Sequence, residues 1–316
     1  MTFLQELIIG VATGAIYALI ALGYTMVYGI IELINFAHGD IFMAGTLVSI
    51  LILNLLGISG ASHLGVLTLV GVMLVACLGS MLICAILGVV IERIAYRPLR
   101  NAPRLAPLIS AIGVSLILED LGKLWKGVNY ISFPQIFPQV NYTLLSTTQG
   151  SVSISSINIL VIVVAVVLML ALQLFITRTR TGRAMRAVAQ DRDAAALMGV
   201  NVNRIIAITF FIGAALAGAA GFIYGLQYGS TIFYIGFPLG LVAFTAAVLG
   251  GIGNIVGAML GGLLIGVIEA LSALIPDTVL PHGGAAWHEA VIFAILILIL
   301  VFRPTGLLGQ QTPEKV

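Results

Sequence analysis

The run IIAITFFIGAALAGAAGFIYGLQY at residues 205–228 opens a stretch that carries no Asp, Glu, Lys or Arg until Glu269. Two more charge-free stretches occur earlier in the chain, at residues 41–91 and 127–177. Each is long enough for one or more membrane spans of about 20 apolar residues. Backbone groups in lipid must be hydrogen-bonded internally, which leaves helices or a closed barrel. Because apolar and polar residues do not alternate in these runs, they predict helices rather than barrel strands.

The composition as a whole excludes a soluble enzyme domain. The chain has 316 residues, of which 60% are hydrophobic and only 8% are charged, with a mean hydropathy of +1.17. Soluble domains carry about 25% charged residues, so most of this surface must face an apolar medium. The sequence therefore predicts an all-α membrane protein, a polytopic helical bundle forming one transmembrane domain over residues 1–316. Nine apolar stretches indicate about 8–10 membrane segments: 7–29, 41–58, 64–91, 105–122, 157–177, 205–227, 239–251, 255–275 and 287–302.

Lysine and arginine positions predict the orientation, because short cytoplasmic loops are enriched in both. Three basic regions are assigned to the cytoplasmic side: Arg93, Arg97, Arg100 and Arg104; Arg178, Arg180, Arg183, Arg186, Arg192 and Arg204; Arg303 and Lys315. The C-terminus is then cytoplasmic, and residues 129–156 form an external loop with a short hairpin. Lys123 and Lys126 fall on the opposite side and are outnumbered. Nine spans place the N-terminus outside, unless 30–40 or 250–254 is a break rather than a full turn.

The basic segment 178–204 is polar but does not resemble a disordered linker. Residues 184–189 and 193–198 are rich in alanine and other helix formers. Asp191 and Asp193 suit the N-terminal turn of a second short helix, and Gly199 suits its end. The pattern predicts two short helices between two spans. They either offer a surface to a partner or form a solvated connector whose arginines only set the topology.

A second polar segment lies between the first two apolar stretches and contains Asn35, His38 and Asp40. It is either a turn at the membrane surface or a broken helix lining a pathway, since irregular backbone inside a membrane is tolerated where it faces protein or a cavity. Glu269 is the acid placed well inside an apolar run. It is a lesser pathway candidate, because it is close enough to a polar stretch to reach the interface. The histidines have no ligand spacing, so no metal site is expected.

The glycine-rich segment after residue 249 predicts a turn followed by a packing seam. Small residues at four- or five-residue spacing let helices approach closely in lipid. The helix-packing candidates are Gly250, Gly251, Gly253, Gly257 and Gly261. A phosphate-binding loop of the form GxxxxGK[ST] is absent from the sequence, as are the HExxH motif and the nucleophile elbow. The sequence thus predicts no enzyme, and any ATP hydrolysis must come from another chain.

Several of these segments closely resemble the high-affinity branched-chain amino-acid ABC transporter permeases, the H-type subunit. The matching motifs, collinear over nearly the whole chain, are YALIALGYTMVYGII at 17–31, INFAHGD at 34–40, ERIAYRPLR at 92–100, LISAIG at 108–113, GRAMRA at 182–187, FTAAVLGGIG at 244–253 and RPTGLLG at 303–309. The loop 129–156 matches least.

The resemblance implies a type II-like permease in the bacterial inner membrane. Its implied partners are a second homologous permease chain, two cytoplasmic subunits that use ATP and Mg, and a periplasmic substrate-binding protein. No nucleic acid is expected. The loop 182–200 looks like the segment that couples to the ATPase, with residues 193–199 as its docking helix. The coupling residues carried over are Gly182, Arg183, Arg186, Asp193, Ala194, Ala195, Ala196, Leu197, Met198 and Gly199.

The expected function is import by alternating access, with leucine, isoleucine and valine as substrates. Permeases of the same family for urea, amides or other amino acids are the alternative. A self-sufficient secondary transporter is a further alternative, but it needs buried ionic partners, and Glu269 has no obvious basic partner in the sequence.

Overall fold

The computed structural model describes residues 2–58, 65–100, 102–103, 105–147, 150–303 and 305–309. Arg104 and Lys315, both assigned above to the cytoplasmic side, lie outside the described residues. The helices are α1 (Thr2–Ile31), α2 (His38–Leu55), α3 (Val66–Ile91), α4 (Leu105–Lys126), α5 (Ser156–Arg178), α6 (Arg180–Gln190), α7 (Arg192–Leu197), α8 (Val202–Tyr228), α9 (Gly236–Gly250), α10 (Ile255–Ser272) and α11 (His288–Phe302). A π-helical turn, Glu92–Tyr96, and a 3-10 turn, Arg97–Leu99, continue α3.

Each predicted apolar stretch contains a helix. Over the described residues, eight helical segments are long and apolar enough to cross a membrane, and α9 is a shorter apolar helix. The predicted polytopic helical bundle is therefore confirmed. Short strands occur only as two antiparallel pairs in the described part of the chain: β1 (Ile131–Ser132) with β4 (Ser230–Thr231), and β2 (Asn141–Thr147) with β3 (Gly150–Ser155).

The bundle has an inner layer built around α1. This helix packs along α8, α9 and α10, and α2 and α3 both pack on α8. Glycine makes the α1–α10 contact possible: a Cβ placed on Gly14 would lie 2.8 Å from the Cα atom of Leu263, and one placed on Gly262 would collide with Ala18. In lipid, such close approach of backbones is a main source of helix association.

The two ends of the bundle differ in the segments that lie there. At one end, Gln5 of α1 accepts a hydrogen bond from the backbone of Ser153 at 2.8 Å, and the Thr13 and Tyr228 hydroxyls are 3.4 Å apart. At the opposite end, Asn254 donates to the carbonyl of Leu308 at 2.8 Å. The start of α1 therefore lies at the hairpin end, and residues 305–309 lie at the end that also holds α6 and α7.

Candidate translocation break and coupling helices

The chain between α1 and α2 turns back into the bundle. Glu32 has a φ of 57°, a left-handed conformation that is uncommon outside glycine, and α2 begins only at His38. The His38 ring lies over Gly23 and is edge-on to Tyr24, with ring centroids 4.8 Å apart. Asn35, His38 and Asp40 are all buried. The segment is therefore buried inside the bundle, as a broken helix would be and a surface turn would not, and its role in lining a pathway stays a prediction.

The shorter helix α9 also begins at this break and meets α2 there. The first residue of α9, Gly236, packs on Gly39, and a Cβ placed on Gly240 would lie 3.0 Å from the Cα atom of Gly39. Asp40 accepts a hydrogen bond from Ser115, which lies halfway along α4. The two N-termini therefore abut deep in the bundle, about midway along neighbouring helices.

Neither α2 nor α9 has a side-chain cap at its N-terminus. Uncapped N–H groups carry the positive end of each helix dipole. The carboxyl group of Asp40 lies beside Gly236, where the two positive ends meet. We call residues 32–40, together with the facing start of α9, the translocation break.

Several buried polar atoms of the break lack a partner among the described residues: Asn35 Nδ2, His38 Nε2 and Asp40 Oδ1. The other side of Asn35 is paired, since the Tyr96 hydroxyl donates to Asn35 Oδ1 at 2.9 Å. An unsatisfied buried polar atom costs about 1–3 kcal/mol. The break therefore holds hydrogen-bonding capacity that no described residue satisfies.

Glu269 does not belong to this group. It lies one turn before the end of α10, where its carboxyl group is beside the Tyr17 hydroxyl. His38 instead contacts α1 further along, at Gly23. The structure therefore brings three of the four pathway candidates together and leaves the fourth apart.

The segment 178–204 contains the two short helices that its composition predicts, α6 and α7. The hydroxyl of Thr179 accepts a hydrogen bond from Gly182 N at 3.0 Å and caps α6. Asp191 caps α7 by accepting from the backbone of Asp193 and Ala194, both at 3.0 Å. Gly199 ends α7 with a φ of +82°. Each helix boundary therefore follows from one residue suited to its capping position.

The two helices have different surroundings. Gly182 packs against the backbone of Ile176, and Arg186 donates to the Ile176 carbonyl, so α6 folds back onto the end of α5. Leu197 and Met198, at the end of α7, are 89% and 85% exposed. The remaining coupling candidates divide by accessibility, with Arg183, Asp193, Ala194 and Ala196 exposed and Ala195 buried. Two adjacent apolar side chains are therefore exposed at the end of this basic segment.

The predicted packing glycines occupy the α9–α10 corner. Gly250 and Gly257 approach each other through their backbones, and Gly261 packs against Ala246. Gly251 and Gly253 have positive φ angles of 105° and 91° and form the turn itself. Three of the five residues therefore lie at a helix contact, and two allow the chain to reverse.

A short helix that meets a buried break inside a bundle of membrane spans is a feature of this chain that known proteins can be compared with. A model of the family described as branched-chain amino acid transport system / permease component matches residues 7–300. The chain belongs to this family. The resemblance found in the sequence motifs is thereby confirmed.

Relatives in this permease family match almost end to end. The permease protein LivH of a high-affinity branched-chain amino acid transport system, from Salmonella typhimurium, is 46% identical over 314 residues, covering 99% of this chain and 98% of the relative. BraD from Pseudomonas aeruginosa has the same identity and coverage. A probable LivH from Methanocaldococcus jannaschii is 28% identical over 294 residues, covering 92% and 88%. PsaBC from Streptococcus pneumoniae, solved in complex with Fab, aligns with a TM-score of 0.46 and 12% identity over 96% of this chain and 93% of that one.

Sequence reasoning on this permease missed the residues that face the break from other helices. Gly236 and Gly240 have the four-residue glycine spacing of a close helix contact, and that signal was available. Ser115 and Tyr96 carry no comparable signal. Only the fold brings Ser115 of α4 to Asp40, and Tyr96 of the π-helical turn to Asn35.

Proposed function

We propose that this chain is the membrane-spanning subunit of an ATP-driven importer of leucine, isoleucine and valine in the bacterial inner membrane. The names of the relatives that are 46% identical over the full length support this substrate class. The chain works beside a second homologous permease chain and receives its substrate from a periplasmic binding protein. Two cytoplasmic subunits supply ATP binding, Mg and hydrolysis, so this chain is not itself an ATPase.

The observation that carries the coupling part of the proposal is the exposure of Leu197 and Met198. They lie at the end of the bundle that holds residues 305–309, so the C-terminus is cytoplasmic in this proposal. Residues 178–204 are the coupling loop, and 129–156 face the periplasm. The coupling surface runs from Gly182 to Gly199, and the apolar pair at its end docks into the ATPase.

Alternating access follows from the break between α2 and α9. Movement of the coupling loop separates α2 from α9. The pathway is then bordered by Asn35, His38 and Asp40. A weakly polar lining suits transport, because a permease must release its substrate rather than hold it tightly. Glu269 remains a lesser candidate, nearer the hairpin end.

Uptake by the reconstituted complex tests the substrate class. Proteoliposomes containing both permease chains, the ATPase subunits and the binding protein should accumulate labelled leucine when ATP is supplied to the ATPase side. Unlabelled valine should compete strongly, whereas alanine and urea should compete weakly. Competition by urea as strong as that by valine would replace the proposed substrate with an amide, and ATP-independent uptake by this chain alone would contradict the importer.

Charge placed on the apolar pair tests the docking surface. Leu197→Asp combined with Met198→Asp should abolish co-purification of the ATPase, because a carboxylate would have to be desolvated at the interface. The matched control is Leu144→Asp, a 57% exposed leucine on β2 at the other end of the molecule. It should leave co-purification unchanged. Equal co-purification with both variants would contradict docking through α7.

Gly199→Arg tests the end of the same helix. A non-glycine residue at a φ of +82° is strained by about 1–2 kcal/mol, which should displace Met198 while leaving the spans folded. We expect substrate-stimulated ATP hydrolysis to fall without loss of the permease from the membrane. Unchanged stimulation by loaded binding protein would count against the role of this residue.

A further inference from the structure

Arg192 connects the coupling loop to the end of the first membrane helix. Its guanidinium donates two hydrogen bonds to one atom, the carbonyl oxygen of Ile30, from Nε at 3.2 Å and from Nη2 at 2.8 Å. The two residues are 162 positions apart in sequence. Two donors from one planar group fix its orientation relative to α1 more firmly than a single donor would.

The position of Arg192 is better explained by α1 than by α7. It is the first residue of α7, where a positive charge opposes the helix dipole. At the C-terminus of α1 the same charge is favourable, because the last carbonyl groups of a helix have no partner within it. The arginine therefore stabilises the end of α1 and ties α7 to it.

The tied carbonyl lies directly before the translocation break. α1 ends at Ile31, and the segment 32–37 leads to the first residue of α2. The break is held a second time at Asn35, which accepts a hydrogen bond from Tyr96 in the π-helical turn after α3. The segment before α2 is thus hydrogen-bonded on one side to the coupling loop and on the other side to the turn after α3.

There is space for α1 to move at this end. A cavity of about 80 Å³ separates α1 from α6 and the start of α10. Its lining includes Ile30 itself, with Thr25 and Gly29 of α1, Met185 and Arg186 of α6, and Gly253. The end of α1 is therefore loosely packed on this side, and the Arg192 hydrogen bonds link α7 to it directly.

We propose that Arg192 is the positioning residue that transmits motion of the coupling loop to the translocation break. Displacement of α7 by the ATPase pulls the Ile30 carbonyl through the guanidinium, and the segment 32–37 passes the movement to α2. The inference rests on the proposed function, since it requires that α7 docks to an ATPase. It assigns to Arg192 the transfer of motion rather than docking.

The test uses the complete transporter in proteoliposomes and compares three arginine variants with the wild type. Arg192→Ala removes both donors and the charge, whereas Arg192→Lys keeps the charge and one donor group. Arg93→Ala is the control, because it removes an exposed arginine from the π-helical turn after α3, outside the coupling loop. Co-purification of the ATPase, the rate of ATP hydrolysis and substrate transported per ATP are measured for each.

We expect Arg192→Ala to retain the ATPase and to hydrolyse ATP, while transport per ATP falls by about tenfold, the effect of losing a charge-assisted hydrogen bond. Arg192→Lys should restore transport per ATP only in part, to about a third of the wild-type value, since a cation at the helix end remains favourable but the second donor is lost. Arg93→Ala should behave as the wild type. This pattern separates transmission from general structural damage, which would lower transport and hydrolysis together.

Wild-type transport per ATP in Arg192→Ala would overturn the inference. Loss of ATPase co-purification in that variant would also overturn it, because Arg192 would then belong to the docking surface. If Arg192→Ala does not accumulate in the membrane, Arg192→Lys decides, and wild-type transport per ATP in it would exclude the two-donor link. A wild-type permease that never retains an ATPase would instead defeat the proposed function, and the inference with it.

Discussion

Helices α1 and α5 are both long apolar spans, yet they occupy different layers of the bundle. In the most apolar window of α1, 78% of residues are buried inside the protein, against 22% for α5. The buried helix is the less apolar of the two. In a water-soluble protein the more apolar helix would be expected inside. In this bundle, hydropathy therefore does not decide which of the two helices is central.

The difference lies in small residues. α1 contacts α10 through Gly10 and Gly14, and it contacts the break through Gly23. The sequence of α5 contains no glycine. Because lipid is as apolar as leucine, burial in the protein brings no hydrophobic gain, and close packing decides which helix is central. Hydropathy therefore identifies spans, whereas glycine placement sorts them into layers.

The largest effect is expected from a bulky residue in the contact between α1 and α10, which we call the inner seam. Gly262→Leu forces a side chain into the backbone of α1 at Ala18 and should destabilise the protein by about 3 kcal/mol or more. Gly113→Leu in α4, where a Cβ meets no atom within 4 Å, should change stability by less than about 1 kcal/mol. Thermal unfolding in detergent measures both, and equal losses would refute the role of the seam.

Removing the hydrogen bond that joins the outer helix α4 to the inner break should have a smaller effect. Ser115→Ala leaves a second oxygen of the buried Asp40 carboxylate without its donor, which should cost about 1–3 kcal/mol. Ser110→Ala on the same helix removes a half-buried bond of 3.2 Å to the Ala95 carbonyl and should cost less. A Ser115→Ala protein no less stable than Ser110→Ala would show that the break does not depend on α4.

The smallest effect is expected on the lipid face of α5. Leu170 is 57% exposed, so much of its side chain faces lipid. Leu170→Ala removes few contacts within the protein and should change stability by less than about 0.5 kcal/mol. Its neighbour Met169 is buried, and Met169→Ala should cost about 1–3 kcal/mol through the cavity it leaves. If the two variants unfold at the same temperature, α5 does not pack on the inner layer as described.

Much of the architecture follows from local patterns along the chain. The nine apolar stretches, the cap residues Thr179 and Asp191 and the stop at Gly199 all act within a few residues of themselves, so their consequences can be predicted without the fold. The polar segment around His38 had two equally good interpretations. A surface turn and a buried break require the same polar residues, and only the packing of α2 on α9 distinguishes them.

The sequence by itself determined three features: that this is a membrane protein, which residues form its spans, and that two short helices connect α5 to α8. These features depend on transfer of apolar segments to lipid and on local backbone preferences. Only the tertiary structure decided which helices are central, that Gly39 meets Gly236, and that Arg192 reaches Ile30. Those contacts join residues far apart in the chain, and in lipid they depend on shape and hydrogen bonding rather than on hydrophobicity, which a linear pattern reports best.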